Sequence, residues 1–208
     1  MIHSTVSRRE LLKRLGMAGA VTLGLPGFDR VLAFQRDLVR AGAAPAGVLA
    51  APEAATLAAL CSRIIPSDEN GPGAAEAQAS VYIDRSLGGW LAPSRDAYAA
   101  GLAEVDAAAR ARGGKRFVDL APAEQDAVLA AIEDTPFFGM LRTHTIQGTF
   151  CDPFYGGNAN FVGWDLLGYP GIRLTASAND QRMDISPTPT HMSAYDFSMF
   201  ARKKPDAR

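Results

Sequence analysis

What most limits the fold of this chain is that its apolar residues, between about positions 53 and 150, recur at helical spacing in short rows, each cut off by proline or glycine. Leu57, Leu60, Cys61 and Ile64 make the first row, which Pro66 ends. Ser67-Asp68-Glu69-Asn70-Gly71-Pro72-Gly73 is then dense in turn formers. A second, longer row holds Ala79, Tyr82, Ile83, Ser86, Leu87, Trp90 and Leu91 and is closed by Pro93. Tyr98, Leu102, Val105 and Ala109 make a third, ended by Gly113-Gly114. Pro122 stands where first-turn prolines stand and opens a fourth helix with Val128, Leu129 and Ile132. Thr135-Pro136 opens a fifth, with Phe137, Phe138 and Leu141, continuing past His144. No segment alternates with period two for long, so the expected class is all-α: a small irregular helical bundle over residues 53–150.

Beyond residue 150 the helical period fails. The block CDPFYGGNANFVGWDLLGYPG, residues 151–171, holds five glycines, two prolines and five aromatic rings, and no run in it suggests a helix. It is too aromatic for an idle linker. Gly156, Gly157 and Asn158 tolerate positive φ, while Pro153 and Pro170 fix φ, so a pre-shaped loop is expected. Two uses are open for Phe154, Tyr155, Phe161, Trp164 and Tyr169. Pre-ordered rings lose little entropy on association and dominate interface hot spots. Alternatively the loop folds back to cap its own bundle, and different rings can do each. Residues 151–208 as a whole form a largely non-helical C-terminal arm, of which 175–208 is expected to order on a partner.

The N-terminus carries an address. Ser7, Arg8, Arg9, Leu11, Leu12 and Lys13 precede a short, weakly apolar stretch and Pro26, which is the pattern of a twin-arginine export signal over residues 1–33. An Ala/Gly/Pro-rich linker over 34–52 follows. The expected compartment is therefore the periplasm, reached by folded cargo. No apolar run reaches the roughly 18 to 20 residues that span a bilayer, so membrane association is expected only through a partner. After residue 33 the chain carries 16 basic and 20 acidic side chains, a net of −4. That balance argues against nucleic acid, which needs clustered cations.

Nothing in the chain suggests a cofactor of its own. There is no G-x-G-x-x-G after a strand, no C-x-x-C-H, and only two cysteines, Cys61 and Cys151. His3, His144 and His191 are not paired at metal-ligand spacing. His144 reads as a hydrogen-bonded helix histidine, and no catalytic elbow arranges Ser, His and Asp for nucleophilic work. An enzyme built on Asp152, Asp165 and His144 is the weakest of the functional readings. A stand-alone periplasmic binding or scaffold protein is the main alternative to an accessory subunit.

Ile64-Ile65-Pro66-Ser67-Asp68 with Gly71-Pro72-Gly73-Ala74, then Tyr82-Ile83-Asp84, resemble the gluconate 2-dehydrogenase subunit 3 family. So does the stretch Gly148-Thr149-Phe150-Cys151-Asp152-Pro153, Tyr155-Gly156-Gly157-Asn158, Gly163-Trp164-Asp165 and Gly168-Tyr169-Pro170-Gly171. The resemblance runs from about residue 57 to 171. It implies a non-catalytic small subunit of a periplasmic FAD-dependent sugar or alcohol dehydrogenase. FAD, with or without an iron–sulfur cluster, and haem would reside in partner subunits, a glucose–methanol–choline type flavoprotein and a multihaem cytochrome c. The small subunit would carry the flavoprotein out as a hitchhiker and support its folding and stability.

Within that resemblance the partner interface falls on Cys151, Asp152, Pro153, Phe154, Tyr155, Gly156, Gly157, Asn158, Phe161, Trp164 and Tyr169. An oxidising compartment invites a disulfide. Cys151, in the interface block, is expected to pair with a cysteine of the catalytic subunit, with an internal Cys61–Cys151 bridge or two free thiols as the alternatives.

Overall fold

The computed structural model describes residues 47–200, so the export signal expected over 1–33, most of the linker over 34–52 and the basic end of the chain lie outside the described residues. Six α-helices follow one another: α1 (Ala51–Ile64), α2 (Ala79–Leu87), α3 (Arg95–Gly113), α4 (Pro122–Ile132), α5 (Pro136–Phe150) and α6 (Val162–Leu166). Among the described residues there is no β-strand, and the all-α expectation holds.

The helix boundaries follow from local chemistry. Proline stands in the first turn of α1, α4 and α5, where its missing N–H costs nothing. Glu53 and Glu124 each reach back to the N–H that precedes their helix, at 2.8 Å on Ala50 and on Ala121. The Thr135 hydroxyl caps α5 by accepting from the Phe138 N–H at 3.2 Å. Gly114, at φ 68°, ends α3 in the left-handed region that a side chain would disfavour. Helix α1 takes in the last two residues of the expected linker, Ala51 and Pro52.

Each expected apolar row becomes a buried face. Leu57, Leu60, Ile83, Leu87, Tyr98, Val128 and Leu141 are fully buried, as is Phe117 in the turn between α3 and α4. Complete burial of one such side chain contributes about 1.5–3 kcal/mol. Phe117 is held from both sides: its N–H donates to Asp106 at 3.1 Å and its carbonyl accepts from Gln125 Nε2 at 2.9 Å. Trp90 departs from its row. Helix α2 stops at Leu87, and Gly88-Gly89 turn the chain so that Leu91 stays buried while Trp90 is 49 % exposed.

Helices α2 and α5 meet at their closest where α5 has no side chain. A Cβ on Gly148 would lie 2.9 Å from the Cα and carbonyl oxygen of Ala79 and from the Tyr82 ring. This crossing fixes where the C-terminal end of α5 emerges, and the block 151–171 is built on that end.

Candidate functional site

A helix leaves its last four carbonyls without intrahelical donors. At the end of α5 the following block supplies three of the missing donors. The Cys151 N–H donates to Gln147 O at 2.8 Å and the Asn158 N–H to Gly148 O at 2.7 Å. The Trp164 indole N–H donates to Phe150 O at 3.0 Å. The block is therefore docked on the helix end through backbone chemistry that any completed helix offers.

Asn158 holds the loop together from inside. It is fully buried, at φ 44°, and its amide donates to Cys151 O at 2.9 Å while accepting from the Gly163 N–H at 2.8 Å. Asparagine is among the few residues that adopt the left-handed region readily. Its neighbour Ala159 donates to Ala77 O at 3.1 Å, which ties the loop to the entry of α2. Gly163 must be glycine, because a methyl group there would run into the Thr149 carbonyl oxygen. Phe161 is also left-handed, at φ 63°, an unusual state for a bulky residue. Its ring stacks on His191 at 5.2 Å and tilts against Trp164 at 5.3 Å.

The expected absence of helix in the block needs correction. Val162–Leu166 is the short helix α6, and single 3-10 turns occupy Pro153–Tyr155 and Ala159–Phe161. Five residues give no periodicity to read in a sequence. The expected loose arm is likewise tied down over part of its length. Thr190 N–H returns to Pro170 O at 2.9 Å, and His191 Nε2 lies 2.7 Å from Asp165 Oδ1. Asp152 accepts from Ser193 Oγ at 2.6 Å and from the Ala194 N–H at 2.8 Å, as well as from the Phe154 N–H at 2.9 Å.

The aromatic residues divide into two groups. Trp164, only 6 % exposed, faces inward, while Tyr169, edge-on to it at 5.0 Å, is 42 % exposed. Trp164 and Asn158 thus bind the loop to its own bundle. Phe154 and Tyr155 face outward, at 46 % and 50 % exposed, and are joined by Tyr195 from the tail at 38 %. Phe154 stacks on Tyr195 with ring centroids 3.7 Å apart, and Tyr155 stands edge-on to both. The hydroxyls of Tyr155 and Tyr195 share a 2.9 Å hydrogen bond, which with burial raises the Tyr155 phenol to about 12. Tyr195 was not among the expected site residues. It lies forty residues from its partner, and no periodic signal links the two.

Cys61 and Cys151 are both free thiols, so the internal bridge is not formed. Cys61 is buried in the core beside the Thr145 hydroxyl, 3.4 Å away. Cys151 is half-buried, packed near Gly157 and Gly148. Burial raises both thiols to about 11. His144 meets its helix-histidine expectation: it sits on α5, its Nδ1 2.9 Å from the Tyr98 hydroxyl in the core. Asp152, Asp165 and His144 are each engaged with a different partner and form no common centre.

A cavity of about 420 Å³ lies elsewhere, between α1, α4 and α5, lined by Ile64, Ile65, Leu129, Phe138 and Ile146. It holds one aromatic ring, and its Arg63 and Asp126 bind each other at 2.6 Å. No residue of the block lines it. Among the described residues no helix is long and apolar enough to cross a membrane.

The family model for gluconate 2-dehydrogenase subunit 3 matches residues 51–171, more than half of the chain. The match begins with the first residue of α1 and ends with the last glycine of the block. No curated protein and no solved structure gives a significant match.

Proposed function

The chain belongs to the gluconate 2-dehydrogenase subunit 3 family, and on that premise we propose that it is the non-catalytic small subunit of a periplasmic FAD-dependent sugar or alcohol dehydrogenase. It holds no cofactor itself. FAD resides in the catalytic flavoprotein, a multihaem cytochrome c completes the complex, and the small subunit carries the flavoprotein through the twin-arginine route and stabilises its fold.

The observation that carries this reading is the outward face of the block. Three rings, Phe154 and Tyr155 of the block and Tyr195 of the tail, are pre-assembled at 38–50 % exposure. Binding there costs little ordering entropy, which is what a permanent subunit contact needs. The surface offers pre-ordered, exposed rings, which supports recognition.

The test is co-expression. The flavoprotein made with this chain should be soluble, flavin-loaded and periplasmic. Made alone it should remain in the cytoplasm, poorly soluble or low in flavin. A flavoprotein that is exported and active without this chain overturns the proposal.

A further inference from the structure

The family match stops at residue 171, yet the surface that follows from it is unfinished there. Residues Thr190–Phe197 return to the block at four points. Thr190 bonds Pro170, His191 bonds Asp165, Ser193 and Ala194 bond Asp152, and Tyr195 bonds Tyr155. Ser193 is 7 % exposed, so its hydroxyl is buried against Asp152. Between the fastenings, residues 172–189 form a closed excursion whose neck is also bridged by Arg173 donating to Thr188 O at 3.0 Å.

The charge carried by the segment itself is one-sided, and from the bundle the Arg85 guanidinium of α2 reaches it at Gly156. Residues 151–200 hold five aspartates, two arginines, no glutamate and no lysine. Both arginines are already ion-paired, Arg173 with Asp180 and Arg182 with Asp184. Asp152 and Asp196 remain beside the three rings: Asp152 anchors the strap and Asp196 accepts from the Ser193 N–H at 2.8 Å. Aromatic faces attract guanidinium groups, and nearby carboxylates add to that attraction.

We infer that the strap Thr190–Phe197 completes the recognition surface, and that this composite acidic and aromatic face takes an arginine-bearing face of the dehydrogenase catalytic subunit. The inference rests on the subunit reading above and adds to it a segment and a partner chemistry. Asp152 acts as a positioning residue, since it holds the Tyr195 ring over Phe154 through Ser193 and Ala194.

The experiment uses the full chain co-expressed with the catalytic subunit, and measures affinity of the purified pair. Tyr195→Ala, and a chain ending after Pro189, should each weaken binding tenfold or more, the range of an interface hot spot. Tyr195→Phe keeps the ring and should bind nearly as wild type. Affinity should fall as salt rises from about 0.05 to about 0.5 M, where screening shortens to a few ångströms. Hydrogen exchange gives a readout that needs no partner. Asp152→Asn should speed exchange at residues 193–196 while leaving α1–α5 unchanged. If the wild-type pair forms but the truncated chain binds equally well, or binding ignores salt, the inference fails while the subunit reading stands. Equal exchange in Asp152→Asn and wild type also overturns it. If even the wild-type chain does not bind the catalytic subunit, the subunit reading itself falls, and the inference with it.

Discussion

The Tyr98 hydroxyl and His144 Nδ1 meet at 2.9 Å in the bundle core, the ring of one stacked on the other at 5.9 Å. Burial lowers the His144 pKa below its ordinary value, because the charged imidazolium loses water there. In the unfolded chain the same histidine takes up its proton at about 6.5. Below that pH the unfolded state gains a proton before the folded state does, so stability is full above it and falls as pH drops toward the folded pKa. Thermal melts of wild type and His144→Gln should diverge as pH falls below about 6.5, with the wild type losing melting temperature faster. Parallel curves would show that His144 is not held neutral.

Trp164 carries a stability role that is separate from recognition. Removing its buried ring by Trp164→Ala should cost about 3–5 kcal/mol, the usual range for a large aromatic in a core. Trp164→Phe keeps most of the packing and loses the indole donation to Phe150 O, at a cost of about 1 kcal/mol. Denaturant unfolding of the isolated chain measures both. A Trp164→Ala chain as stable as wild type would mean the loop does not cap the bundle.

The export reading rests on Arg8 and Arg9. Changing both to lysine should strand this chain and its flavoprotein together in the cytoplasm, as cell fractionation would reveal. Dehydrogenase activity that still reaches the periplasm in the double variant refutes the escort role.

Burial acts on both cysteines in the same direction. With thiols raised to about 11, only roughly one in a thousand is ionised at pH 8, so both should react slowly with iodoacetamide in the folded chain and quickly once unfolded. The expected bridge from Cys151 to a partner cysteine has its own readout. Non-reducing electrophoresis of the complex should give one band at the summed mass, lost on reduction and absent in Cys151→Ser. A band at the mass of this chain alone, from an intact complex, rules the bridge out.

The bundle was legible because its signals are local. Leu57, Leu60 and Cys61 repeat at helical spacing, and Pro122 and Pro136 mark first turns, whereas Pro52, also a first-turn proline, was read into the linker. The site was legible only in composition. That the block is rigid follows from its glycines and prolines, but which ring faces out does not. Trp164 turns inward because its N–H finds a carbonyl at the end of α5, and Tyr155 turns outward because Tyr195 waits there. Both depend on partners fourteen and forty residues away. Trp90 failed for a local reason: two glycines ended the helix before the row did.

The docking of the block on the last carbonyls of α5 also sets an order of events. Gly148 O and Phe150 O point toward Asn158 and Trp164 only once α5 is wound to its end and seated against Ala79. The return of residue 193 to Asp152 closes a loop of about forty residues onto that docked block. The three-ring face is therefore complete only when both the block and the strap are in place. A chain lacking either one has no such face to present.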